Sequence, residues 1–281
     1  MAAVADLLAA VDRFLEAVTP KAYNRRKRRA LAPVERRLER AMQSAFKRQE
    51  AVFLRLFAKF RDRFPKEETL KEAIWEFEWG LLFDQASLDT LQAFVKPLER
   101  EVQRALLAGA LHSLADADVS LSVTLKNPRA VAYLNQYGAR RVTMINDTTR
   151  TEIKKIVTQA VDEGWSYNRT AKAISDRYGE FRVGKPQQHI QSRAHLVAVT
   201  EAGESYSEGN LMVGQELAAA GLEMEKSWLS VGDERVSDGC RENQAAGWIP
   251  IDQAFPSGHM RPLRFPGCRC DMMIRRKREA A

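Results

Sequence analysis

Over the first 220 positions apolar residues recur mostly at three- and four-residue spacing, the period of an amphipathic helix. Val4, Leu7, Leu8, Val11, Phe14, Leu15 and Val18 make the first such face and predict a helix that stops before Pro20. Pro33 suits the first turn of a long helix reaching about residue 64. Its stripe runs through Leu38, Met42, Ala45, Val52, Leu56 and Phe60, with Phe46, Phe53 and Phe57 on a flanking row. Pro65 ends it; 67–82 and 84–114 read as further helices, with Pro97 kinking or splitting the second. Trp75 and Trp79, four apart, fit a core or a helix–helix contact.

A break falls at 115–118, after which Leu121, Val123 and Leu125 alternate with polar residues like a short strand. Asn127 and Pro128 then open a helix by cap and first-turn proline. Helices follow over 147–163, stopped by Gly164, and from Ser166 or Asn168 to Tyr178, stopped by Gly179. Pro186 begins another that runs to Ala220 with Gly221 behind it, weakened by Gly203, Gly209 and Gly214. Beyond Gly221 the period changes to short β-type pieces at 226–231, 248–251 and 269–274. The prediction is a mainly α chain: a long-helix N-terminal domain (1–115), a helical connecting region (116–221) and a small C-terminal α+β module (222–281).

Charge adds one feature. Residues 21–40 hold nine basic side chains (Lys21, Arg25, Arg26, Lys27, Arg28, Arg29, Arg36, Arg37 and Arg40) against Glu35 and Glu39, a net +7 equal to that of the whole chain. A second cluster, Arg275, Arg276, Lys277 and Arg278, stands near the C-terminus. Such concentration suits double-stranded DNA or an acidic protein surface, and equally a solvated helix face. No run of eighteen apolar residues occurs, so no membrane span is expected. Asp6, Asp12 and Glu16 interrupt the apolar N-terminus, against a secretory leader. Cys240, Cys268 and Cys270 are the three cysteines, an odd count that fits a reducing compartment better than a closed disulfide framework.

Several motifs now stand in order. Arg193-Ala194, Val197-Ala198 and Thr200-Glu201 resemble the "RA..IA.TE" helix of the phage head morphogenesis family, the minor head (minor capsid) proteins of siphophages and Mu-like phages. Trp228, Asp233-Glu234-Arg235-Val236 and Cys240 resemble its "W…DERVC..C" turn. Gly247, Phe255, Pro256, Ser257, Gly258, His259 and Cys268-Arg269-Cys270 resemble its closing "G…F…H…CRC". Asn127-Pro128, Gly138, Thr148-Thr149 and Glu163-Gly164-Trp165-Ser166 fit its approach to the module, so the resemblance spans about 120–275. Ser237 and Phe265 stand where family members often carry Cys and His. The resemblance implies a non-enzymatic virion component, made in the host cytoplasm and placed in the head interior or portal region. Its partners would be portal, major capsid or scaffold proteins and, through the basic segment, packaged DNA.

Two chemistries are legible. Cys240, His259, Cys268 and Cys270 make a Cys3His set that suits structural zinc; the same cysteines also read as small buried residues. Arg235 is expected to pair with Glu201 or Asp233 and fix the helix against the β module, rather than the carboxylates forming an acid/base pair. No Gly-rich phosphate loop, GxSxG elbow, HExxH or DxDxDG is present, and His112, His189 and His195 have no nucleophile beside them in sequence. The rival readings are a non-specific DNA-binding protein and an enzyme of unrecognised activity.

Overall fold

The structure is a computed structural model describing residues 2–63, 72–117, 128–184 and 190–277. Helices dominate, with one small antiparallel sheet near the C-terminus, the mainly α class that the periodicity predicts. The strand signal at 121–125 and the positions Pro65, Asn127, Pro186 and His189 lie outside the described residues.

The helices are longer than their punctuation suggests. α1 runs Ala2–Phe57 through both Pro20 and Pro33 and passes into a 3-10 turn at Ala58–Arg63. α2 runs Glu72–Ala117 through Pro97. A helical proline removes one backbone donor, but the turns flanking Pro33 and Pro97 carry buried residues, Leu31 and Val34 in one case and Phe94 and Leu98 in the other. Packing on both sides of the missing bond keeps each helix going. α3 joins the two segments expected after residue 127 into one helix, Pro128–Asp162. α4 is Tyr167–Val183, capped by Ser166 Oγ, which accepts from Arg169 N at 3.3 Å. It continues past Gly179 because Phe181 is held in the core. α5 is Arg193–Ala219, where Ser192 Oγ accepts from His195 N at 3.0 Å. Gly221, at φ +93°, ends it, with Leu222 N donating to Leu217 O at 3.1 Å.

Two compact units result. One comprises Arg36–Arg100 and Tyr133–Ala198. Its buried row on α1 is Leu38, Met42, Ala45, Phe46, Phe53 and Phe57, whereas Val52 and Leu56 are only partly buried. The expected flanking row of phenylalanines is therefore the core, because large rings fill the space between helices. Phe46 meets Phe94 edge-on at 5.4 Å and Phe181 at 5.5 Å, and Trp79 packs on Phe83. Gln49, fully buried, satisfies its amide on Ser87 Oγ (3.4 Å), Asn146 Oδ1 (3.0 Å) and the Tyr178 hydroxyl (3.5 Å).

The other unit comprises Met1–Glu35, Glu101–Ala132 and Val199–Ala281. Here α2 and α5 cross at near backbone contact: a Cβ on Gly109 would lie 1.9 Å from the Tyr206 carbonyl oxygen, and one on Gly209 would lie 2.0 Å from that of Leu106. The glycines that weaken α5 as an isolated helix thus let it dock. Gly214 makes room in the same way for Ile251, whose side chain a Cβ would meet at 2.5 Å. The sheet has the order β2-β1-β3, with β1 Met224–Leu229, β2 Trp248–Pro250 and β3 Asp271–Arg276. Trp228 pairs with Met272 in the register and is buried edge-on against Phe255 at 5.1 Å.

Gly209→Ala should lower stability by about 3 kcal/mol or more, since the clash is with backbone. Gly179→Ala, where the nearest atom is an arginine tip at 3.9 Å, should instead be neutral or gain about 0.5–1 kcal/mol. Urea unfolding of both variants measures the contrast.

Candidate functional site: a thiol cluster beside a buried lysine

The short helix α6 (Asp238–Ala245) buries Cys240 and Asn243 on its inner side, and the turn before β3 delivers Cys268 and Cys270. The three sulfurs lie within 4.8 Å of one another, Cys240 Sγ and Cys268 Sγ being 3.9 Å apart, and all three residues are buried. Two cysteines separated by one residue in extended chain project to the same side. Cys268 is pulled down to about 5, first by the hydrogen bond that Cys270 offers it and then by backbone N–H groups of Cys270 and Arg264. Cys270, which keeps its proton and sits in buried surroundings, is shifted upward.

His259 does not join this set. Its Nδ1 is held by Ser257 Oγ and by the Ser257 carbonyl, each at 3.0 Å. Asn243 fixes that turn by donating to Ser257 Oγ at 2.8 Å and accepting from Ser257 N at 3.0 Å. The expected fourth ligand thus stands outside the group of three sulfurs, with its Nδ1 used by the loop.

Beside the cysteines, Lys27 of α1 enters the same unit. Its Nζ donates to the Cys270 carbonyl at 2.6 Å, stands 3.5 Å from Asp271 Oδ1, and lies 5.3 Å from the Tyr206 ring centre. Lys27 is 7% exposed and Asp271 0%. Burial pushes the Asp271 carboxyl upward, opposed first by Lys27. The Tyr206 hydroxyl meets His112 Nδ1, and His112 is lowered to about 4, first by burial and then by Arg26 and Lys27. Lys27 is therefore no nucleic-acid contact, in contrast to its expected place in the basic set. Its ammonium has been taken out of solvent and compensated internally. Arg25, Arg26, Arg28, Arg29, Arg36 and Arg40 are exposed and Arg37 half-exposed; the Lys21 side chain lies outside the described residues.

The motif residues take structural places. Arg193 stacks over Phe46 and Phe181, 5.3 and 4.6 Å from the ring centres, and donates to the Ile145 carbonyl at 2.7 Å. Burial lowers it to about 10. Thr200 Oγ1 accepts from Gly267 N at 3.0 Å, and Glu201 is buried nearby on α5. The expected Arg235 pairing is not formed. Asp233 is gripped by Arg269, with N–O distances of 2.7 and 2.8 Å, which holds its carboxyl below the usual range. Arg235 is exposed and stands 3.9 Å from the carboxylate of Glu234. The middle residue of CRC, flanked by inward cysteines, points the other way and meets the turn first.

Sequence reading missed one buried cation and one half-buried one. Lys226 on β1 is lowered to about 8 by burial and donates to the Met260 carbonyl at 2.8 Å. Arg261 bridges Glu204 and Glu208 of α5, both at 2.5 Å. The i, i+4 spacing of these glutamates was a readable signal; their partner, more than fifty residues on, was not.

Residues 151–273, which include α4, α5, β1, β2, the start of β3 and all three cysteines, match the family model described as Phage Mu protein F like protein. This segment is similar to the phage Mu protein F like family. That family is one of phage head morphogenesis, and the likeness covers 123 of the 281 residues. α1 and α2 lie outside the match. No curated protein and no solved structure matches the chain. No helix among the described residues is long and apolar enough to cross a membrane.

Two outcomes follow for the unit that holds the thiol cluster. Lys27→Met, which leaves the Asp271 carboxylate buried without its cation, should cost about 3 kcal/mol or more; adding Asp271→Asn should recover part of that, read by urea unfolding of the single and double variants. The unfolded His112 imidazole protonates near pH 6.5 and the folded one near 4, so between these values the unfolded state binds more protons. Its stabilising contribution, about 2–3 kcal/mol, is full above pH 6.5 and drains as pH falls to 4. His112→Gln should flatten that slope in melts taken across pH 4–7.

Proposed function

We propose that the protein is a minor head protein acting in procapsid assembly, attached to the portal or the inner capsid surface. The reading is supported by the family match, and the observation that carries it to a mode of action is the division of labour in the basic segment. Lys27 is turned inward, while Arg25, Arg28 and Arg29 around it on the same helix remain exposed. The inward lysine fixes the helix to the module; the outward arginines offer a cationic face to an acidic patch on a head partner or to packaged DNA. Guanidinium groups on one helix suit phosphate or carboxylate contact without base reading. No role as an enzyme is proposed: the clustered titratable groups are thiols and buried ion pairs inside the module, and a head morphogenesis family supports a structural task.

A second reading, non-specific DNA binding as the main function, rests on the same exposed arginines. Co-expression with the adjacent portal and capsid proteins, followed by pull-down over a salt series, separates the two. Retention on portal or procapsid at moderate salt is the expected result. Free migration, with tight DNA binding whose log K falls with log salt by about 0.9 per phosphate contacted, would replace the assembly reading. The triple variant Arg25→Glu, Arg28→Glu and Arg29→Glu should abolish retention with little change in melting temperature.

A further inference from the structure

The three buried thiols are arranged for a task that no hydrogen-bond requirement explains. They come from two separated stretches of chain, α6 and the turn before β3, and converge on one point. We propose that Cys240, Cys268 and Cys270 bind a single soft thiophilic d10 cation, zinc or cuprous copper, as a three-thiolate site that excludes His259.

The geometry supports a shared ion. Metal–sulfur bonds of about 2.3 Å place sulfurs about 3.8 Å apart in tetrahedral and about 4.0 Å apart in trigonal coordination. Cys240 Sγ and Cys268 Sγ are 3.9 Å apart, and the third sulfur completes the group within 4.8 Å. A disulfide would join only two of the three and would require closure to about 2 Å. Nitrogen and oxygen donors do not compete: among the described residues the group of ligand atoms within 4.8 Å of one another holds the three sulfurs alone, the Asp233 carboxylate is engaged by Arg269, and Asp271 faces Lys27. The donor set is therefore all sulfur, which selects thiophilic ions over magnesium or calcium.

The surroundings suit the charge that results. Binding sends the thiol protons to solvent and leaves a net negative centre. Lys27 Nζ sits at the Cys270 carbonyl, 2.6 Å away. The Trp228 indole N–H is fully buried and makes no hydrogen bond to another described residue. A bound thiolate gives that donor its partner. The ion would link α6 to the start of β3 in a module whose own sheet has three short strands, the setting in which small folds use a metal staple.

The test uses the full chain purified without chelator or added metal, followed by elemental analysis. One equivalent of zinc or of copper per chain is expected, and which of the two is found names the ion. Cobalt titration of metal-stripped protein should give intense sulfur-to-metal charge-transfer absorption near the ultraviolet edge. Cys240→Ser, Cys268→Ser and Cys270→Ser should each weaken binding at least tenfold, and His259→Ala should leave it unchanged. Should the serine variants fail to fold, thiol labelling of the native wild type answers instead: three thiols protected until a chelator is added support the site. Metal-free protein that takes up neither zinc nor cuprous ion, a Cys240–Cys268 disulfide in the purified chain, or metal lost in His259→Ala would overturn it.

Discussion

An ammonium group set against a carboxylate out of reach of water, Lys27 on Asp271, is the contact on which the C-terminal module depends. Two desolvated charges gain little net stability from each other. Their value lies in what each would cost alone, and that makes the register of α1 against β3 nearly obligatory. The same ammonium reaches the Cys270 carbonyl and lies near the face of Tyr206, whose hydroxyl in turn meets His112 of α2. One side chain thereby ties α1, α2, α5 and β3 to a common point.

That point requires its helices to lie close. Gly109 and Gly209 remove the side chains that would hold α2 and α5 apart, and small residues such as Ala105 and Ala202 continue the contact. Dispersion between backbones then takes over from side-chain interdigitation. Polar pairs sit inside the same crossing, among them Ser113 donating to Asn210 Oδ1 at 3.0 Å. Each tolerates only one relative setting of the two helices, since a slipped register would strand a buried donor. The aromatic unit works differently: Phe46, Phe53, Phe57 and Phe94 fill volume, and one buried amide, Gln49, supplies the polar specificity.

The module turns its cysteines, Trp228 and Lys226 inward, and the exposed arginines of α1 are a concentrated outward charge. Arg269 shows the economy of the arrangement. Within three consecutive residues, two side chains turn into the thiol cluster while the third turns out to hold Asp233. The CRC element thus links the cluster to the DER turn, and the period of two along extended chain is sufficient cause.

By itself the sequence determined the helical class, the place where α5 stops at Gly221, the three β pieces within two or three residues, and the likeness of 151–273 to a phage head family. These follow from local rules: spacing of apolar residues, capping by Ser166, and turn glycines at positive φ. It did not determine where helices continue. Pro20, Pro33 and Pro97 read as breaks because a missing donor is a local fact, whereas the packing that carries α1 and α2 onward is not. It could not divide a basic run into one buried lysine and a set of exposed arginines, since burial depends on which surface meets the helix. It named the three cysteines that the fold brings together, alongside His259, which stands outside their group, and it did not foresee that Arg269 would take the Asp233 carboxylate. Charge type is written in the sequence, but the choice of partner is made by distance, and distance between residues 27 and 271 exists only in the folded chain.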